Sequence, residues 1–313
     1  MPPAERLPAE RLAAESPFAE SLRAESLLAE SLLAWSGETL RDLPWRATRD
    51  PWAVLVSETM LQQTQVGRVI GPFVSFVARW PEPAALASAR PSEVIDAWWG
   101  LGYNRRAVRL RACAQAIVDR HGGRIPDQLG TLLDLPGVGS YTARAVLAFA
   151  FERPVGVIDT NAARVLARAV AGHRLKLGEA QSLADASVPP QRSWAWNSAV
   201  LDLGATVCTA REPACDRCPL GPRSCAWLAA GRPEPDPSLG TAGSSGTQSR
   251  FAGSDRQGRG RLVAALVRGP IGLPALAATA GWPDDPVRAE RVALTLVRDG
   301  LAVVGADGML RLP

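Results

Sequence analysis

From Trp35 to about Leu228 the chain reads as short helical patterns separated by Pro and Gly, with no convincing run of period-2 alternation. Such a segment must bury its apolar stripes helix on helix, so the expected fold class is all-α. The 313 residues, 47% apolar and 21% charged, suffice for one large core or two modest ones and exclude global disorder. Every long apolar stretch is broken by Arg, Asp or Glu before it reaches the ~20 residues a membrane helix needs. The first thirty residues lack the basic start and apolar region of a secretory signal. A soluble, cytoplasmic protein with no membrane partner is expected.

Residues 4–33 repeat a five-residue unit (AERLP, AERLA, AESPF, AESLR, AESLL, AESLL). A step of five advances the leucines around a helix instead of stacking them, so residues 1–34 are expected to be a low-complexity, partly helical extension. The helical core is assigned to 35–228, and the Pro-, Gly- and Ser-rich stretch 229–257 to a flexible linker. Residues 258–313 hold three helical patterns followed by two β-prone runs around Gly305-Ala306-Asp307-Gly308, the order of a small winged-helix-like (α+β) module. From 256 onward it carries eight Arg against five acids, which suits either a wing on DNA or a protein-interaction or stabilising module. Net charge is +4 overall, but residues 1–33 contribute −3, leaving +7 on the remainder, compatible with an anionic partner. Lys176 is the only lysine.

Three motifs carry chemistry. Leu135-Pro136-Gly137-Val138-Gly139 ends one short helical pattern and opens another at Ser140. Gly137 and Gly139 permit a tight turn and close backbone approach, and the second helix presents free N–H groups at its positive end, a geometry suited to a phosphate. An ordinary Gly-rich turn is the plainer reading of a lone G-x-G, but this context favours a helix-hairpin-helix that grips DNA without reading its sequence. Twenty residues on, the apolar run 155–158 delivers Asp159 to a helix N-terminus. There it can act as a cap and, kept ionised by the helix dipole, as a stabiliser of positive charge. In Ser57-Glu58-Thr59-Met60, Glu58 has Val54, Leu55 and Leu61 as helical neighbours. On that side it would be a desolvated carboxyl of raised pKa, fit to be a general acid; on the other, an ordinary solvated Glu.

Cys208, Cys215, Cys218 and Cys225 lie within eighteen residues with the spacing C-x6-C-x2-C-x6-C. In a cytosolic protein four such thiols point to structural zinc or an iron–sulfur cluster, not to disulfides. Cys113, inside a helical pattern, reads as a buried small apolar residue.

LPGVGSYTA (135–143), VIDTN (157–161) and the cysteine quartet, with SETMLQQTQV (57–66), LPW (43–45) and GLGYNRR (100–106), resemble the helix-hairpin-helix glycosylase superfamily with an iron–sulfur loop. Within it the sequence is most similar to the MutY-type adenine DNA glycosylase family. The resemblance implies a [4Fe-4S] cofactor on the four cysteines and excision of adenine mispaired with 8-oxoguanine or guanine in double-stranded DNA. It further implies a nucleoid-associated protein acting as a monomer. Glu58 would protonate the departing base and then help to activate water, and Asp159 would stabilise the oxocarbenium-like sugar. Tyr141 and Asn161 match pocket-lining residues, and Arg41, Trp45 and Asp202 match positions near the extruded adenine. Gln63, Thr64, Leu101 and Tyr103 match residues that enter the base stack or contact the opposing base. Alternatives are an endonuclease III-like glycosylase and lyase, or a non-catalytic iron–sulfur DNA-binding protein. The lyase needs an amine after the hairpin, where Tyr141 stands, so monofunctional hydrolysis is expected. Two features depart from the family pattern: the last cysteine interval is six residues instead of the usual five, and the 56 residues after 257 are too few for the customary Nudix-like domain.

Overall fold

The computed structural model describes residues 17–241 and 250–313, with side chains from Leu27 onward. In chain order the helices are α1 (Pro17–Thr39), α2 (Pro51–Leu61), α3 (Val66–Arg79), α4 (Pro83–Ser88), α5 (Pro91–Ala97), α6 (Arg105–His121), α7 (Leu129–Leu133) and α8 (Ser140–Phe149). There follow α9 (Thr160–Val165), a π-helical turn at Leu166–Ala171, α10 (Leu177–Ala186), α11 (Ser193–Thr206), α12 (Gly221–Ser224) and α13 (Ala226–Ala229). The C-terminal part comprises α14 (Asp255–Arg268), α15 (Leu276–Ala280), α16 (Pro286–Arg298), β1 (Val303–Val304) and β2 (Leu310–Arg311). Among the described residues these are the only two strands, in keeping with a helical core.

Two compact units form, one within residues 1–42 and 152–245, the other within 43–151 and 246–313. The second, the hairpin unit, is organised on α2, whose residues Trp52 to Met60 are all buried. Asp50 caps this helix by accepting from the N–H groups of Trp52 and Ala53, both at 3.2 Å, and Pro51 supplies the first helical φ. Buried on every side, α2 is the central helix of its unit, packed against α3 and α8. In the same unit, α14 to α16 and the β1–β2 pair form a C-terminal module. Val303 pairs with Arg311 and Val304 with Leu310, and Ile271 adds a bridge to Leu310. Its core of Leu262, Leu266, Val292, Leu296 and Leu310 includes Ile95 from α5.

The first, the cysteine unit, is built on α11, flanked by α1 and α9. Here the structure departs from two expectations. The extension through residue 34 is not padding in its described part: Leu32 is fully buried in a cluster with Val165, Trp196 and Leu203, joined by Leu28 and Trp35. The five-residue drift prevents a stripe along the whole repeat, yet positions 28, 32 and 35 are spaced i, i+4, i+7 and share one face. Residues 1–16 lie outside the described residues. The expected linker is likewise not uniform. Asp236 forms an ion pair with buried Arg168 at 2.5 Å, and buried Thr241 accepts from the Leu175 N–H at 3.1 Å and donates to the Pro237 carbonyl at 2.7 Å. Pro- and Gly-rich composition marks loss of regular backbone pairing, but side-chain partners still order residues up to 241. Residues 242–249 lie outside the described residues.

Leu32→Ala should lower the free energy of unfolding by about 3 kcal/mol in a urea titration, the cost of a cavity at a fully buried leucine. Leu27→Ala, at an exposed position of the same helix, should change it by less than about 1 kcal/mol.

Candidate active site

Glu58 resolves in favour of the buried alternative. It is only 5% exposed, and its Oε2 is sealed from solvent. The neighbouring polar residues of α2 are satisfied within the helix, Ser57 donating to the Val54 carbonyl and Thr59 to that of Leu55, both at 2.8 Å. A carboxyl is thus held within a helix whose residues from Trp52 to Met60 are all buried.

Beyond α2 the chain enters a loop at Gln63, which is exposed and has φ +54°, a left-handed conformation unusual for a residue with a Cβ. A second loop, joining α5 to α6, places Tyr103 at φ +47°, 41% exposed. One side chain holds both. The buried guanidinium of Arg106 donates through Nη1 to the carbonyls of Thr59 (2.9 Å), Met60 (2.8 Å) and Gln62 (2.7 Å). Through Nη2 it donates to Thr64 Oγ1 (2.8 Å) and the carbonyls of Leu101 (3.2 Å) and Gly102 (2.9 Å). Burial lowers its pKa to about 10, so it remains charged near neutrality. Thr64 also donates to the Leu101 carbonyl at 3.2 Å. Strained tips persist where the surroundings over-determine them, and Arg106 supplies that constraint. Leu101 differs from expectation: it is 2% exposed, so its side chain belongs to the protein interior, while Gln63 and Tyr103 are the residues presented outward.

At the hairpin, Gly137 has φ +79°, and a Cβ there would stand 2.9 Å from Arg109 Cβ of α6. This glycine serves the turn and the helix packing. Gly139, the N-cap of α8, has open space where a Cβ would sit. Tyr141, half-buried, is the second residue of α8. Trp45 is buried edge-on against Phe73 at 5.5 Å between ring centres. Buried Cys113 has its thiol pushed up to about 12 by burial, as fits an inert core residue.

In the cysteine unit Asp159 is the N-cap of α9. Its Oδ1 accepts from the backbone N–H groups of Asn161 and Ala162, both at 2.8 Å, and its Oδ2 from Asn161 Nδ2 at 2.9 Å. The carboxyl is nevertheless raised above the ordinary aspartate value: burial outweighs those three hydrogen bonds and the attraction of Arg164. Arg164 locks the arrangement, donating to Asn161 Oδ1 (2.8 Å), the Gly204 carbonyl (2.6 Å) and the Cys208 carbonyl (2.6 Å). A Cβ on Gly204 would meet Asn161 Cβ at 2.7 Å, so α11 can support α9 this closely only with glycine there. Arg41 and Asp202 do meet: Arg41 Nε donates to Asp202 Oδ1 at 2.8 Å and its backbone N–H to Oδ2 at 3.0 Å, with Nη2 completing the ion pair.

All four cysteines of the quartet line one pocket with Leu203 and Val207. Burial raises the thiols of Cys208, Cys218 and Cys225, and their mutual repulsion adds to it; for Cys208, Arg168 and Arg164 oppose the shift. Arg168 donates to Cys208 Sγ at 3.4 Å and to the Thr209 carbonyl at 2.7 Å, and stacks 4.8 Å from the Trp227 ring centre. Among the described residues, no three Cys, His, Asp or Glu side chains are gathered as a single-ion site.

The family model for the HhH-GPD superfamily of base excision DNA repair proteins matches residues 56–184. An adenine DNA glycosylase of Mycobacterium tuberculosis (strain ATCC 25618 / H37Rv) is 43% identical over 298 residues, covering 90% of this chain and 91% of that protein. The chain belongs to the adenine DNA glycosylase family of the HhH-GPD superfamily. The solved structure of a thermostable thymine-DNA glycosylase superposes with TM-score 0.62 at 28% identity, covering 67% of this chain and 99% of that one. A trapped endonuclease III–DNA covalent intermediate superposes with TM-score 0.57 at 22% identity over 68% and 99% of the two chains, which shows a shared fold. Membership of a family of base excision DNA repair glycosylases makes DNA the macromolecular partner of this chain.

The matched span includes Glu58, Arg106, the hairpin and Asp159. Sequence reasoning missed Arg106, Arg164, Arg168 and Gly204 as organisers of the site. For Arg106 a signal was present: it shares one face of α6 with Leu110, Cys113 and Ile117, a charge on an apolar stripe that demands buried partners.

The hairpin glycines should respond differently to a methyl group. Gly137→Ala should cost at least about 1 kcal/mol of stability in a denaturant titration, because of its positive φ. Gly139→Ala should leave stability nearly unchanged yet weaken duplex DNA binding in a titration, by obstructing approach to the α8 amides.

Proposed function

We propose that this chain is a monofunctional adenine DNA glycosylase that hydrolyses the N-glycosidic bond of adenine opposite 8-oxoguanine or guanine in double-stranded DNA. The observation that carries the reading is Glu58, a carboxyl buried in α2 of a chain 43% identical to an adenine DNA glycosylase along most of its length. Glu58 in its neutral form gives a proton to the departing adenine as the C–N bond breaks. The sugar is left as an oxocarbenium-like cation, which the Asp159 carboxylate stabilises. Water then adds to the anomeric carbon and gives its proton to Glu58, restoring the acid and leaving free adenine and an abasic site. Asn161 orients Asp159 through the 2.9 Å hydrogen bond, and Tyr141 lines the pocket. Arg41, Asp202 and Trp45 border the extruded adenine. Gln63, Thr64 and Tyr103 engage the opposing base, with Arg106 holding their loops. The α8 amides beyond Gly139 take a backbone phosphate. The enzyme acts as a monomer.

Cys208, Cys215, Cys218 and Cys225 would hold a [4Fe-4S] cluster. Four soft donors around one cavity, with Arg168 beside Cys208 to offset thiolate charge, fit such a group. When bound it would order the loop that Arg164 ties to Asn161, a structural contribution. The one lysine, Lys176, is exposed ahead of α10, and position 141 offers a phenol instead of an amine, which favours hydrolysis over lyase chemistry.

Duplexes carrying adenine opposite 8-oxoguanine, adenine opposite guanine, thymine opposite guanine, or thymine glycol test the reading. Strand cleavage after alkali should occur for the two adenine duplexes alone, and Glu58→Gln should abolish it with duplex affinity retained. Release of thymine, or cleavage without alkali accompanied by a borohydride-trapped adduct, would overturn it.

The single-turnover rate should also fall on the acid side, as Asp159 becomes protonated. Because its pKa is raised, the neutral form persists to higher pH than in an ordinary aspartate, so this limb should lie above the ordinary aspartate range. Asp159→Asn should remove most of the rate, whereas loss of a mere helix cap would cost about 1 kcal/mol of stability with chemistry spared.

A further inference from the structure

The loop between α5 and α6 is gripped from two sides. From within, Arg106 binds the carbonyls of Leu101 and Gly102, which fixes the backbone. The far end of the Tyr103 ring is held by a different element: Arg256 Nη1, in the first turn of α14, donates to Tyr103 Oη at 3.2 Å. α14 is in turn fastened to the base of the loop. Arg259 Nη2 meets Asp299 Oδ2 at 2.6 Å, and Asp299 Oδ1 lies 3.6 Å from Nε of Arg105, the first residue of α6. Ile95 before the loop and Val108 after it both pack into the apolar core of the module. The C-terminal module therefore clasps both helices that flank the loop, and reaches over it with one guanidinium.

We propose that Arg256 is a positioning residue for Tyr103, and that the module braces this loop so that discrimination of the base opposite adenine depends on it. This rests on the reading that Tyr103 engages the opposing base. The Arg106 guanidinium lies 5.7 Å from the Tyr103 ring centre, but at positive φ and 41% exposed the tyrosine keeps side-chain freedom at its phenol end that this contact does not remove. A charged donor on the phenol oxygen removes it before DNA arrives, which lowers the ordering cost of binding the correct base. The module thereby acts on specificity from behind the loop, needing no base contact of its own.

The test uses the full chain with Arg256→Met, Tyr103→Phe and the double variant. Single-turnover rates are measured on duplexes with adenine opposite 8-oxoguanine and opposite guanine, with affinity for undamaged duplex measured in parallel. Each single change should reduce the rate ratio between the two duplexes by about three- to tenfold, and the double variant no further than either alone. A uniform loss of affinity for all duplexes with the ratio intact would instead make Arg256 a phosphate contact, and multiplying effects in the double variant would separate the two residues; either overturns the proposal. Hydrogen exchange gives a readout independent of catalysis. In Arg256→Met the amides of residues 100–104 should exchange several-fold faster, with the interior of α6 unchanged; unaltered exchange there overturns the brace. Should the unaltered chain release adenine from neither duplex, the proposed activity falls, while the exchange measurement still decides the brace.

Discussion

A buried guanidinium with seven acceptors sets the shape of two loops in the hairpin unit. Arg106 draws the end of α2, the Gln63 turn and the Leu101–Tyr103 loop onto a single planar group. A charge in that place is tolerable only because its donors are met almost entirely by carbonyl oxygens. The arrangement is reciprocal: the loops need the cation to close their hydrogen bonds, and the cation needs the loops to replace its water. Two residues at positive φ, Gln63 and Tyr103, are held outward as a result. Residues presented in this way keep their geometry without support from a ligand, as is useful where a protein must enter a base stack at a defined depth.

The two carboxyls illustrate how one residue class is given different roles by its surroundings. Glu58 is buried within α2, among residues that are themselves all buried from Trp52 to Met60. Asp159 is also desolvated, yet receives three hydrogen bonds and lies near Arg164. Burial still wins the contest at Asp159, raising its carboxyl above the ordinary aspartate value while it caps α9. Asn161, Arg164 and Gly204 are the parts that keep it in place. They link α9, α11 and the cysteine loop by contacts shorter than 3 Å, so the conformation of that loop bears directly on the carboxylate.

The C-terminal module shows how a small fold can be integrated instead of appended. Its core admits Ile95 and Val108, and its charges meet Arg105 and Tyr103. Burial of shared apolar surface makes it part of the hairpin unit, where composition alone suggested a tethered extra domain. Similarly, Asp236 and Thr241 order the first stretch of the expected linker through side-chain partners that are distant in sequence.

Much of this protein was legible in its residues. Helical periodicity and Pro/Gly punctuation determine an all-α core; the L-P-G-V-G turn determines a hairpin because Gly137 must adopt positive φ; and the cysteine spacing determines that four thiols share a loop. These are local properties, written in backbone preferences and short spacings. Only the tertiary structure decided that Glu58 is buried, that Leu101 faces inward, that Leu32 belongs to a core, and that Arg106 and Arg256 hold the loops. Each of these depends on which surface another segment covers, and desolvation and hydrogen-bond partnership arise between segments far apart in the chain.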